Sequence, residues 1–221
     1  MPYPTIVGRD SYASPLLDAA FDVPIPSGNA GDLLIMVLQS WWPSNDVTTT
    51  GDFTWNQMGA GTDSAAWVGT KTATGSEGST VTIEVSPNSI YQNVLVWRIR
   101  DWTDVEVGGE AEGDATSDPN PVSFAPSWGS KETLWIALAG VGSTNTTIYT
   151  YPSGYSQGRV IYSSSSSHRS PAVACERELV AASENPGAFL LTNGSRGSWG
   201  AGVIAVVNNP VSGGGFGAFG L

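Results

Sequence analysis

Four carboxylates crowd one short stretch, Glu110, Glu112, Asp114 and Asp118. Hard oxygen donors at this density are what a calcium ion takes. Their spacing fits no calcium-loop motif, however, and a solvated acidic linker is the plainer reading. The single histidine, His168, sits in "SSSSSHRS". A serine hydrolase needs Ser, His and an acid in fixed geometry, but the chain has no G-x-S-x-G elbow, and a serine run reads as a solvated loop. Nothing has zinc-ligand spacing. The one cysteine, Cys175, cannot form an intrachain disulfide. Its alternating context, "AVACERELV", predicts a buried, inert thiol. A pair of carboxylates could run glycoside hydrolysis, yet nothing selects a pair from the 20 Asp and Glu residues. A glycosidase or lyase thus remains one reading, but the expectation is a protein without catalytic residues, metal or cofactor.

The nine tryptophans say more. Trp67, Trp97 and Trp135 lie in strand patterns and read as core. Trp41, Trp42, Trp55, Trp102 and Trp128 lie near turns, where an aromatic ring can stack on a sugar or anchor a protein interface. The competing reading is that they cap the open ends of a sandwich. The chain closes on "GGGFGAFGL", uncharged and glycine-rich. Phe216, Phe219 and Leu221 there suggest an assembly arm that fills pockets on a neighbour while the glycines let the backbones approach; folding back on its own domain is the alternative.

These residues need a scaffold. Charged residues are only 13% of the chain, so Ser, Thr, Asn and Gly must supply most of the polar surface, and the few good helix formers point to strands and turns. "DLLIMVLQSW" is a strand buried on both faces; "STVTIEVS" alternates, with Val81, Ile83 and Val85 on one side. "YQNVLVWRIRDW", "TLWIALAGV" and "AGVIAVVNN" are further apolar runs, separated by turn signals such as "IPSGNAGD", "SDPNP" and "ENPG". No stretch has helical period. The pattern predicts an all-β, antiparallel β-sandwich.

The halves also repeat. "GDLLIMVLQS", "GDFTWNQM", "AAWVGTKTATGSEGS", "TVTIEVS" and "NVLVWRI" are followed in the same order by "KETLWIALAG", "SGYSQGRV", "PAVACERELVAASENP", "GAFLLTNG" and "AGVIAVV". The expectation is one sandwich domain over residues 1–212, built from two similar strand sets (about 31–102 and 131–208). An acidic, Pro-rich crossover, 108–130, joins the sets, and 213–221 form the arm.

The formal net charge of −11 would repel a phosphate backbone and anionic membranes, so no nucleic-acid partner and no membrane insertion are expected. No run approaches the ~18 apolar residues of a membrane-spanning helix. "MPYPTIVGRD" lacks the basic and apolar regions of a signal peptide. Synthesis and retention in the cytosol are the expectation.

The order of pieces resembles small tail-fibre or virion-surface proteins of tailed bacteriophages. The pieces that carry it are "GDLL" at Gly31–Leu34, "WRIRDW" at Trp97–Trp102 and "PSWGSKETLWIA" at Pro126–Ala137. The resemblance runs over residues 5 to 208 and rests on strand pattern and a few aromatics, without a catalytic motif. It implies a jelly-roll-like sandwich assembled in the host cytoplasm and displayed on a virion. The task expected is a tail-tip or tail-fibre subunit, homo-oligomeric and bound to other virion proteins, with a host-surface glycan or protein as its receptor. A capsid decoration protein and a carbohydrate-binding module are the alternatives.

Overall fold

The computed structural model describes residues 2–14, 20–41, 46–86, 91–143, 148–163, 170–191 and 196–208. Trp42, His168, Phe216, Phe219 and Leu221 lie outside the described residues. The strands of the first half are β1 (Thr5–Ala13), β2 (Ala20–Pro24), β3 (Leu33–Ser40), β4 (Asp46–Thr49), β5 (Thr54–Ala60), β6 (Ala65–Thr72), β7 (Thr80–Ser86) and β8 (Gln92–Arg100). Those of the second are β9 (Asp104–Gly113), β10 (Lys131–Ser143), β11 (Ile148–Thr150), β12 (Ser156–Tyr162), β13 (Pro171–Ala181), β14 (Leu190–Leu191) and β15 (Arg196–Val207).

The first half makes a five-stranded antiparallel sheet, β1-β8-β3-β6-β5, faced by β2-β7-β4. This is the strand order of a jelly roll in which β5 has left the outer sheet and formed a hairpin with β6 instead. The second half repeats it as β9-β15-β10-β13-β12, faced by β11-β14. In the place that β2 holds in the first half, residues 118–124 run beside 184–191 without becoming a strand. Phe189 N donates to Pro119 O at 2.8 Å, Leu191 N to the Asp118 carboxylate at 3.1 Å, and Phe124 bridges Glu184. The recurrence of strand types in the sequence is therefore a recurrence of topology, with an irregular segment in the place of β2.

The two five-stranded sheets pack face to face. Leu33, Ile35, Val37, Leu95, Trp97 and Ile99 meet Leu134, Ile136, Leu138, Ala174, Ile204 and Val206. Alternate residues of the same strands point the other way. Leu34, Met36 and Leu38 bury against Phe21, Val81 and Ile83 of the outer sheet. This is why β3 is buried throughout while β7, with one face in water, alternates. In the second half Ala137, Ala139 and Val173 are small outward residues, and larger groups, Phe189 and Trp199, pack on them. Trp135 is covered in turn by Phe124 and Trp128 of the crossover. The result is four layers with three apolar seams.

The central contact obeys a two-fold exchange. β1 touches β12 as β9 touches β5; β8 touches β12 as β15 touches β5; β8 touches β13 as β15 touches β6. β3 and β10 cross on the axis. At the β5–β9–β15 corner the sheets meet backbone to backbone. A Cβ on Gly200 would stand 2.3 Å from the Gly59 carbonyl oxygen, and one on Gly59 would stand 2.3 Å from that of Ala111. Gly59 also has φ +129 at a bulge in β5, a conformation glycine adopts without strain.

Two expectations are refined here. Residues 108–113, read as linker, complete β9, an edge strand rich in carboxylates, of which Glu112 accepts from Ala60 N of β5. Cys175 is fully buried, and burial first, then the nearby Glu176, pushes its thiol well above the ordinary range.

Gly200→Ala is expected to lower the unfolding free energy by roughly 1–3 kcal/mol, read from urea titration, because no flexible side chain stands in the way to yield. Cys175 is expected to ignore iodoacetamide in the native protein and to react fully once unfolded; native alkylation at a comparable rate would contradict its burial.

Candidate functional site

Two clefts open where the lower edges of the central sheets diverge, and the two-fold exchange relates them. One, of about 410 Å³, lies on the flank formed by β5, β6 and the start of β9. The other, of about 760 Å³, lies between β1, β12 and β13. Thr54 pairs with Thr70 in the first as Ser156 pairs with Glu176 in the second. Leu33 and Leu134 occupy matching floors.

The larger cleft holds paired charges on its inner wall. Arg9 holds Glu176 bidentately, Nε to Oε1 at 2.7 Å and Nη2 to Oε2 at 2.6 Å, and the hydrogen bond to Glu176 raises the arginine's already high pKa. The Trp97 indole N–H donates to the same carboxylate at 2.6 Å, and Arg159 lies 5.9 Å from the Trp97 ring centre. Arg177 on the rim pairs with Glu184 at 2.8 Å. A buried carboxylate with this many donors is a structural tie between sheets.

The smaller cleft is different. Trp102 follows β8, where Asp101 takes φ +57 to turn the chain and Thr103 N donates to Val207 O at 2.8 Å. The Trp102 indole N–H donates to Gly31 O at 2.8 Å, which fixes the ring, and part of the ring packs on the central seam. Opposite stand Thr54, Thr70 and Thr72, with Asp52 at φ +53 beside them. Among the described residues, no side-chain hydrogen bond engages these three hydroxyls or the Asp52 carboxylate. At the lip, Thr74 is held by Glu77, which accepts from Thr74 N, from Thr74 Oγ1 at 2.8 Å and from Gly75 N at 3.0 Å. Lys71 lies 3.6 Å from Glu77 and 6.0 Å from the Phe53 ring centre.

The other sequence candidates are dispersed. Trp41 is half-buried, edge-on to Tyr91 at 6.4 Å. Trp55 is half-buried over Gly69 and packs on the first outer seam. Trp128 is half-buried beside Trp135, its N–H on Thr133 Oγ1 at 3.2 Å. Of the crossover carboxylates, Glu112 accepts from Ala60 N, Asp114 from Thr116, and Asp118 from Leu191 N. Among the described residues no three His, Cys, Asp or Glu side chains gather as a metal ion would require.

The chain matches no family model, no curated protein and no solved structure. The threonines of the small cleft escaped the sequence reading because Thr is an ordinary strand residue. The available signal was the alternation of Thr70, Thr72 and Thr74, which puts hydroxyls on one face.

Glu77 gives a pH-dependent prediction. Burial opposes its charge, but the hydrogen bonds from Thr74 and Gly75 outweigh that and hold its pKa at about 2. Because this value lies below the ordinary ~4.3, its stabilising effect is complete above that pH and fades as pH falls towards 2. The stability difference between wild type and Glu77→Gln should therefore shrink between about pH 6 and about pH 2.5 in denaturant titrations. A constant difference would contradict the assignment.

Proposed function

We propose that this chain is a non-enzymatic structural protein of a bacteriophage virion, a tail-tip or tail-fibre subunit that contacts the host receptor and is held to its neighbours by terminal arms. One observation carries the reading: the two ends of the described chain meet at one pole. Asn208 donates from its side chain to Pro2 O at 3.2 Å. The strands run between this pole and the opposite one, with connections leaving from both.

The sheets are held in that common alignment. Asn93 Nδ2 donates to Gln39 Oε1 at 2.8 Å and across the seam to Ser170 O at 2.5 Å, while Asp63 and Ser198 clasp each other by reciprocal hydrogen bonds. A filled four-layer stack whose two chain ends meet at one pole suits a rigid display module. The engaged carboxylates and buried thiol favour binding over catalysis.

Mass spectrometry of purified particles should find this chain, and deletion of 213–221 should leave a folded subunit that no longer incorporates. Particles lacking the chain would overturn the virion reading; normal incorporation of the truncated subunit would overturn the arm.

A further inference from the structure

We infer that the cleft beside Trp102 binds a neutral pyranose sugar. Its twin across the two-fold axis is charged, with Glu176 and Glu178 standing where this cleft has Thr70 and Thr72, and Arg9 and Trp97 engage Glu176. The same scaffold thus carries one cleft lined by charges and one lined by neutral hydroxyls with unused hydrogen-bonding capacity. Each threonine hydroxyl can both donate and accept, and the Asp52 carboxylate accepts. The Trp102 ring supplies an apolar wall whose orientation is already fixed by the bond to Gly31. Hydroxyls around its edge and an apolar face are the two properties a pyranose presents together, and an aromatic wall with a few convergent polar groups is the usual form of a small-ligand site.

The ligand's charge follows from the surroundings. Lys71 is turned to Glu77, so no free cation faces the cleft among its lining residues. Asp52 and the overall charge of −11 disfavour acidic sugars and phosphates. A volume of about 410 Å³ sits at the small end of ligand sites, room for one or two rings. This deepens the receptor-contact proposal, on which it rests for its biological setting, by naming the receptor's chemistry and placing the contact on the flank near the pole where the chain ends meet.

The test is saturation-transfer NMR on the intact protein with a panel of neutral hexoses and their oligosaccharides, a sialylated oligosaccharide serving as the acidic control. Transfer to neutral members is expected, with little to the acidic one. Trp102→Ala should abolish it. Since Trp102 also packs on the seam, Thr72→Val with Asp52→Asn, both at exposed positions, gives an independent reading: an approximately tenfold or greater weakening with unchanged thermal unfolding. Trp128→Phe should change nothing. No transfer from any neutral sugar, preference for the acidic one, or full binding by the Thr72/Asp52 variant would each overturn the inference. Silence of the panel while the chain is present in particles would remove only the glycan; binding by a protein absent from particles would remove only the virion reading.

Discussion

Everything in this molecule hangs on two five-stranded sheets being pressed together over their full faces. Sheets normally stack about 10 Å apart with side chains filling the gap. Here the gap is uneven. At one corner Gly59 and Gly200 remove it altogether, so that peptide groups touch. At the opposite corner Arg9, Arg159, Glu176 and Trp97 fill it with long side chains. Between these limits lies the largest apolar seam, and along its lower margin the clefts open. A methyl group at Gly200 would reach further than its own contact, because it would lift the hinge from which the whole wedge is measured.

The strands and their repeat were legible because burial imposes period: two faces for β3 and β10, one for β7. The pairing of halves was legible because equivalent strands carry equivalent patterns. What the sequence concealed were features fixed by partners distant in the chain. The strand at 108–113 looked like a linker since its acidic residues alternate with glycine and alanine, which are small enough to lie under Phe124 and Trp199. Glu176 sits in "ACERELV" as any strand carboxylate would, and only the fold brings Arg9 and Trp97 to it. Trp102 stood out by type; the hydroxyls facing it, spread over β5 and β6, did not.

The halves share a plan but have diverged in how they cover it. The first uses large residues on its central strand beneath a regular three-stranded outer sheet. The second mixes alanines with Trp135 on its central strand, beneath Phe189, Trp128 and an irregular proline-rich segment. Part of the bulk has moved from strand to cover, leaving the seam filled in both cases. The clefts diverged by the same logic, one receiving charges that neutralise each other and the other receiving neutral hydroxyls.

The two-fold exchange between the halves has a consequence for assembly. An isologous face is the surface by which a half-length jelly roll would pair with its own copy, each patch meeting the same patch on its mate. In this chain that valence is spent internally: the symmetric partner is covalently attached and already in place. Any higher assembly must therefore be built from surfaces the two halves do not share, the unequal outer layers, the open edges of β4 and β11, or the poles. Since those surfaces differ between halves, one chain offers neighbours two distinct faces where a true dimer would offer the same face twice.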